Sequence, residues 1–318
     1  MNRGGKMQDK ESNQSFAVEA VDTLEQLEGT FNGFRRAHAK GQCYQATFTP
    51  NGEAIPFTTA AHFQEEETSA IVRFSNSSPN PTKADILSPI KGMAVQFQLP
   101  NGEITNLISV TIPIFVAKTP ETFIEMVELL NSKEEDANSK EELVKGLVEK
   151  YPESVPALKM AKEIAAQPPT SFSTCHYYPI HAFFFINKDG EKKAVKYEWV
   201  PDQTMQEKVS GDPKTLSNNY LIEELDARLA KGAVGFNLVI HLGEDGDNTN
   251  DSTQAWPKDR QTITIGHLSI TDKVEVQGND LLFDPTIVPT GIELSDDPIL
   301  NFRHDAYAVS FDRRSHNH

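Results

Sequence analysis

Phe302-Arg303-His304-Asp305-Ala306-Tyr307-Ala308-Val309-Ser310-Phe311-Asp312-Arg313-Arg314 lies close to the C-terminus. Arg303, Tyr307 and Arg314 stand at i, i+4 and i+11, on one face of a helix with 3.6 residues per turn. A guanidinium one turn before a phenol can donate to its oxygen and favour the phenolate. A phenolate is an uncommon metal ligand. A second arginine farther along the same face suits a carboxylate. By itself the pattern also describes an amphipathic helix with an incidental tyrosine, so its reading depends on the rest of the chain.

Near the other end stands Phe34-Arg35-Arg36-Ala37-His38-Ala39-Lys40-Gly41. Between the two, in order, come Val72-Arg73-Phe74-Ser75, then Pro113-Ile114-Phe115, then Phe283-Asp284-Pro285 with Pro289, Gly291, Ile292 and Glu293. Together these segments resemble the catalase superfamily, with its Arg-x-x-His-Ala-Lys-Gly distal segment and Arg-x-x-x-Tyr proximal helix. The resemblance runs from Phe31 to Arg314 and is closest to the short, single-domain branch, the catalase-related peroxidases.

The resemblance implies haem b, with Tyr307 as axial ligand of the iron and Arg303 holding it as a phenolate. Arg35, Arg73 and Arg314 would pair with the haem propionates, since arginine's planar fork suits carboxylates. His38 would take a proton from bound peroxide and return it to the leaving oxygen. Ser75 would fix the His38 ring. Val72, Phe115 and Phe123 would line the haem, although a plain core role suits the two rings equally. Arg36 and Arg313 read as surface charges.

One stretch departs from the family pattern. Efficient catalases carry a distal asparagine in Asn-Asn-Thr-Pro-Ile-Phe. Here the chain reads Ser109-Val110-Thr111-Ile112-Pro113-Ile114-Phe115, and anchoring on Pro-Ile-Phe puts Val110 at that position. Valine neither donates nor accepts a hydrogen bond. The expectation is a peroxidase that reduces hydrogen peroxide or organic hydroperoxides with a small organic reductant and has weak catalase activity. Two alternatives stay open: a haem-binding protein with little turnover, and an enzyme rearranging fatty-acid hydroperoxides on the same fold. His38 with Ser75 favours an enzyme, since a storage protein needs no distal base. A β-barrel binder without haem is the plain alternative.

The bulk numbers agree with a large globular chain. At 318 residues it can bury a core around a cofactor. A formal charge of −16 argues against nucleic acid and anionic membranes, which need basic surface. Cys43 and Cys175 are the only cysteines and make neither a metal framework nor a disulfide scaffold. No secretory h-region and no run of 18 apolar residues is visible, so a cytoplasmic protein is expected. The resemblance adds a homo-oligomer, such as a dimer. It also adds the lack of the further C-terminal domain of longer members, because the chain stops soon after Arg314.

Residues 1–15 are polar and expected to be flexible, ahead of a single domain over 16–318. Val18, Val21, Leu24 and Leu27 mark a helix over Phe16–Phe31. Eight short strands follow in two groups of four: 44–48, 70–75, 92–98 and 104–110, then 182–187, 194–200, 236–242 and 261–270. Between the groups, Thr119-Pro120 opens one helix, a Ser139-x-x-Glu142 capping box a second, and Ala157–Ala166 forms a third. Lys133–Glu142 reads as a charged linker, and Ser217–Lys231 as a further helix. Asp245, Asp247, Thr249 and Asp251 alternate like a calcium loop. Asn250 and Trp256 stand where that loop needs glycine and glutamate, so the segment reads as a solvated loop. The pattern is α+β. The resemblance makes it a closed eight-stranded antiparallel barrel with inserted helices and a C-terminal proximal-ligand helix.

Overall fold

The strands form because apolar and polar residues alternate where turn residues interrupt the chain. In β1 (Gly41–Pro50), Tyr44, Ala46 and Phe48 are all buried on one face. The further long strands are β2 (Thr68–Asn76), β3 (Lys91–Gln98) and β4 (Ile104–Val110), then β5 (Phe183–Ile186), β6 (Lys192–Pro201), β7 (Val234–Leu242) and β8 (Thr262–Val274). Gly102 and Gly190, at φ +83° and +79°, turn the β3–β4 and β5–β6 hairpins. The computed structural model describes residues 3–131, 137–203, 215–274 and 280–316.

All eight expected strands are present, and a ninth, β9 (Ile292–Leu294), is added. At three residues it is too short to show a period. The sheet is antiparallel throughout, in the order β4-β3-β2-β1-β8-β7-β6-β5-β9. Among the described residues no ladder joins the edge strands β4 and β9. Isolated bridges connect the ring instead. Tyr178 pairs with Val110 of β4, and Tyr177 pairs with Trp199 of β6. Farther along β4, the amide of Asn106 donates to Ile287 O at 3.2 Å. The curled interior is packed with Tyr44, Phe48, Phe74, Phe97, Tyr177, Trp199 and Phe236. Phe48 meets Phe97 edge-on, with centroids 5.5 Å apart. Each such ring contributes on the order of 2–3 kcal/mol through burial.

The helices are α1 (Arg3–Glu28), α2 (Pro120–Asn131), α3 (Ala137–Lys150), α4 (Val155–Ala166), α5 (Tyr220–Leu229) and α6 (Pro298–Ser315). None of those described is long and apolar enough to cross a membrane. α1 starts well before Phe16 and ends at Glu28, where Gly29 at φ +94° closes it, earlier than the expected break at Asn32-Gly33. α3 starts at Ala137, so Ser139 lies inside it rather than capping it. Part of the expected charged linker is therefore helix, and its residues 133–136 lie outside the described residues. α6 begins on a clear signal. The Asp297 carboxylate accepts from the Ile299 amide at 2.9 Å, and Pro298 fills the first helical position. α1 packs along α6 and α2, with the rings of Phe16 and Phe302 5.6 Å apart.

Candidate active site

Strand parity decides which residues can meet. Val72 and Phe74 of β2 point into the barrel, so Arg73 and Ser75 point out of it. Gly41, Ser75, Gly92 and Val110 stand directly opposite one another across β1, β2, β3 and β4. The next outward row is Cys43, Arg73, Ala94 and Ile108. These rows make a patch of barrel wall that is bare at its two glycines.

His38 lies against this patch. Its Nδ1 is 3.0 Å from Ser75 Oγ. A Cβ on Gly92 would come within 2.8 Å of that nitrogen, so only glycine allows the ring to sit there. His38 has φ +52° and is the only non-glycine among the described residues in the left-handed region. Such a conformation costs on the order of 1–3 kcal/mol and persists only where the surroundings enforce it. The Ala39 amide donates to Ser78 O at 3.1 Å, and Arg73 Nη2 donates to His38 O at 2.9 Å and Ala39 O at 3.2 Å. Burial, then the cations of Arg73, Arg303 and Arg35, push the imidazole down to about 3. At neutral pH His38 is therefore an uncharged base.

Arg35, Arg73 and Arg314 converge. Arg35 Nη2 and Arg314 Nη2 donate to the same acceptor, Leu281 O, at 2.5 and 3.1 Å. The Arg73 guanidinium fills the space that a side chain at Gly41 would need, 2.6 Å from its Cζ. Burial, and then repulsion from Arg35, push Arg73 down to about 9. Burial with Arg35 and Arg36 does the same to Arg314, also to about 9, and burial brings Arg35 to about 10. Arg73 is 4% exposed, and its buried Nε has no partner among the described residues. Three converging guanidiniums with an orphaned buried donor fit a ligand bearing carboxylates.

On α6, Arg303 Nη2 donates to Tyr307 Oη at 2.5 Å. Arg303 Nη1 is 3.0 Å from His181 Nε2, and His181 Nδ1 is 2.8 Å from Asp297 Oδ2. Arginine can only donate, so His181 Nε2 accepts and its Nδ1 carries the proton toward Asp297. Burial, against the pull of Asp297, lowers His181 to about 4. Burial works against the Asp297 charge, but His181 and the first amides of α6 outweigh it and hold the carboxyl below its usual range. Asp297, His181, Arg303 and Tyr307 thus form one chain of hydrogen bonds. His181 and Asp297 were not singled out in the sequence. The Asp-Pro helix start was legible, but nothing local marks His181.

Not every expected residue joins the cluster. Val72 is fully buried in the barrel core, on the face opposite Arg73 and Ser75. Phe115 and Phe123 pack on each other at 5.4 Å, in a separate small cluster with Ala117, Met126 and Leu147. Among the described contacts neither ring touches His38 or Tyr307. Arg36 and Arg313 are not free surface charges. Arg36 is 3% exposed and pairs with Glu25, and Arg313 pairs with Asp22 and Glu25. The acidic loop is internally satisfied: Asp247 is held by Arg260, and Asp251 by Thr253, Gln254 and Lys118. Among the described residues no group of three His, Cys, Asp or Glu is arranged for a bare metal ion.

Comparison with known proteins follows the same lines. The profile of the Catalase family matches residues 18–318. The chain is 35% identical to a catalase-related peroxidase of Mycolicibacterium paratuberculosis, covering 93% of this chain and 94% of that one. It is 32% identical to a catalase-related peroxidase of Synechococcus elongatus, covering 92% and 87%. A fungal catalase of known structure superposes with a TM-score of 0.76 at 19% identity, covering 88% of this chain and 59% of that one. The backbone likeness to that longer enzyme concerns the fold, and the whole-length likeness is to the shorter proteins. The chain belongs to the catalase family, on its short catalase-related peroxidase branch.

Proposed function

We propose that the chain is a haem-dependent peroxidase that reduces hydrogen peroxide or an organic hydroperoxide at the expense of a small organic reductant. The observation that carries this reading is the joint placement of three groups. A neutral, hydrogen-bonded imidazole, a three-arginine cradle and an arginine-bound phenol lie close together, since Arg73 and Arg35 of the cradle and Arg303, which is bonded to Tyr307, all act on His38. The family membership and the names of the whole-length relatives support it.

The residues fit haem b. Arg35, Arg73 and Arg314 would take its two propionates, giving the orphaned Arg73 Nε an acceptor. Tyr307 would ligate the iron, and the Arg303 donor supports its oxygen as an anionic ligand. Bound haem supplies the iron centre at which the O–O bond of peroxide is broken. His38 accepts the proton of the nearer peroxide oxygen and delivers it to the departing one. Ser75 Oγ fixes the ring for both transfers. Val110 lies in the outward row of Ser75 and Gly92, so no amide from that position meets a second peroxide. That favours oxidation of an organic donor over oxygen release, and makes catalase activity weak.

The test is titration of the apo-protein with haemin, followed by peroxide with and without a phenolic donor. Stoichiometric binding and donor oxidation that collapses in His38→Ala support the reading. Absence of saturable haemin binding would overturn it. Conversion of a fatty-acid hydroperoxide to an epoxide without donor consumption would replace it with hydroperoxide rearrangement.

A further inference from the structure

The chain has two adjacent arginine pairs in the site, Arg35-Arg36 and Arg313-Arg314. The inner member of each, Arg35 or Arg314, turns to Leu281 O. The outer members turn the other way, to α1. Arg36 Nε donates to Glu25 Oε1, and Arg313 Nη1 donates to Glu25 Oε2 at 2.9 Å. Glu25 therefore carries one guanidinium on each oxygen. One comes from the segment that bears His38, the other from the helix that bears Tyr307.

The surroundings favour this arrangement. The Glu25 side chain is 18% exposed and that of Arg36 is 3% exposed, so water screens the contact little. Arg36 also donates to Phe34 O at 2.7 Å, and its amide donates to Ser310 Oγ of α6 at 3.3 Å. Neighbouring acids on the same face of α1 extend the grip. Asp22 takes Arg313 Nη2 at 2.7 Å, while Glu28 takes Lys83 at 2.6 Å and Ser78 at 2.8 Å. Ser78 is the residue whose carbonyl holds the Ala39 amide. Without Glu25, two arginine pairs on separate segments would face each other with their repulsion less opposed. Arg35 and Arg36 already lower the Arg314 pKa.

We propose that Glu25 is a positioning residue that couples the His38 segment to the Tyr307 helix and so sets the spacing between the two sides of the site. Its catalytic meaning rests on the haem reading, but the coupling is a property of the apo-protein. Hydrogen exchange on the apo full-length chain measures it. Arg313→Gln, a change on α6, is expected to speed exchange at the amides of residues 37–41. Arg36→Gln is expected to speed it at residues 306–314. Each remote effect should reach about tenfold, the middle of the range for groups in direct contact. Both remote effects should vanish in a Glu25→Gln background. Exchange changes that stay within the mutated segment would overturn the coupling, as would remote effects that persist without Glu25. The single arginine variants keep the test sound if Glu25→Gln fails to fold. In haemin-loaded protein, Glu25→Gln should shift the ferric absorption and electron paramagnetic spectra, which a role in stability alone would leave in place. Coupling in the apo-protein without haemin binding would refute the haem reading and leave this inference standing.

Discussion

Gly92 and His38 are in contact through a side chain that Gly92 lacks. A Cβ at position 92 would lie 2.8 Å from His38 Nδ1 and 2.7 Å from Ser75 Oγ. Real Cβ atoms do not approach so closely, so Gly92→Ala must displace the imidazole or the hydroxyl. The two are themselves only 3.0 Å apart, and their hydrogen bond should be lost. The variant should bind haemin nearly as well as the parent but lose about a hundredfold in the peroxide step, the scale of general acid–base catalysis. Stopped-flow mixing with peroxide checks this, and an unchanged rate would remove His38 orientation from the mechanism.

Tyr307→Phe removes the phenol oxygen that Arg303 Nη2 reaches at 2.5 Å, while the three-arginine cradle is untouched. Haemin should still associate, but the ferric spectrum should lose its phenolate character. The parent spectrum persisting in this variant would show that another group ligates the iron.

Arg73 offers the clearest measure of the cradle. It is buried, and its Nε has no partner among the described residues. Arg73→Gln should weaken haemin binding by about 1.5–3 kcal/mol, the scale of a hydrogen bond to a charged group. Haemin dimethyl ester, which has no carboxylates, should bind parent and variant alike. Equal losses with both porphyrins would assign Arg73 to packing rather than propionate recognition.

Val110→Asn adds an amide beside Ser75 and Gly92 on the outward face of β4. Oxygen release from hydrogen peroxide should rise, with donor oxidation falling in proportion. An oxygen electrode reads the first and a phenolic donor the second. No gain in oxygen release would mean that the missing amide does not limit the disproportionation.

Acid should destabilise the apo-protein through its buried neutral histidines. His62 is pushed down to about 3 by burial and His181 to about 4, against an ordinary value of 6.5. Below pH 6.5 the unfolded chain takes up protons at these positions and the folded chain does not. Stability is thus fully present above 6.5 and declines as the pH falls toward the folded values. Each histidine should contribute a loss of about 1.4 kcal/mol per pH unit in that window. Chemical denaturation between pH 7 and pH 5 measures the slope, and His62→Phe should make it shallower.

Much of this protein was determined by its sequence alone. Short apolar runs bounded by turn residues located the eight long strands, because these features reflect local backbone geometry and burial. The order of the segments around His38 and Tyr307 identified the family. Tertiary structure decided the rest. Whether a strand residue faces the core or the site depends on register and curl, which put Val72 inside the barrel and Arg73 outside it. The Gly92–His38 contact, the bond of Arg303 to His181 across 122 positions and the double grip of Glu25 join segments far apart in the chain. No local pattern encodes such contacts. They exist only once the sheet has curled and α1 and α6 have packed beside it, bringing those side chains within hydrogen-bonding distance.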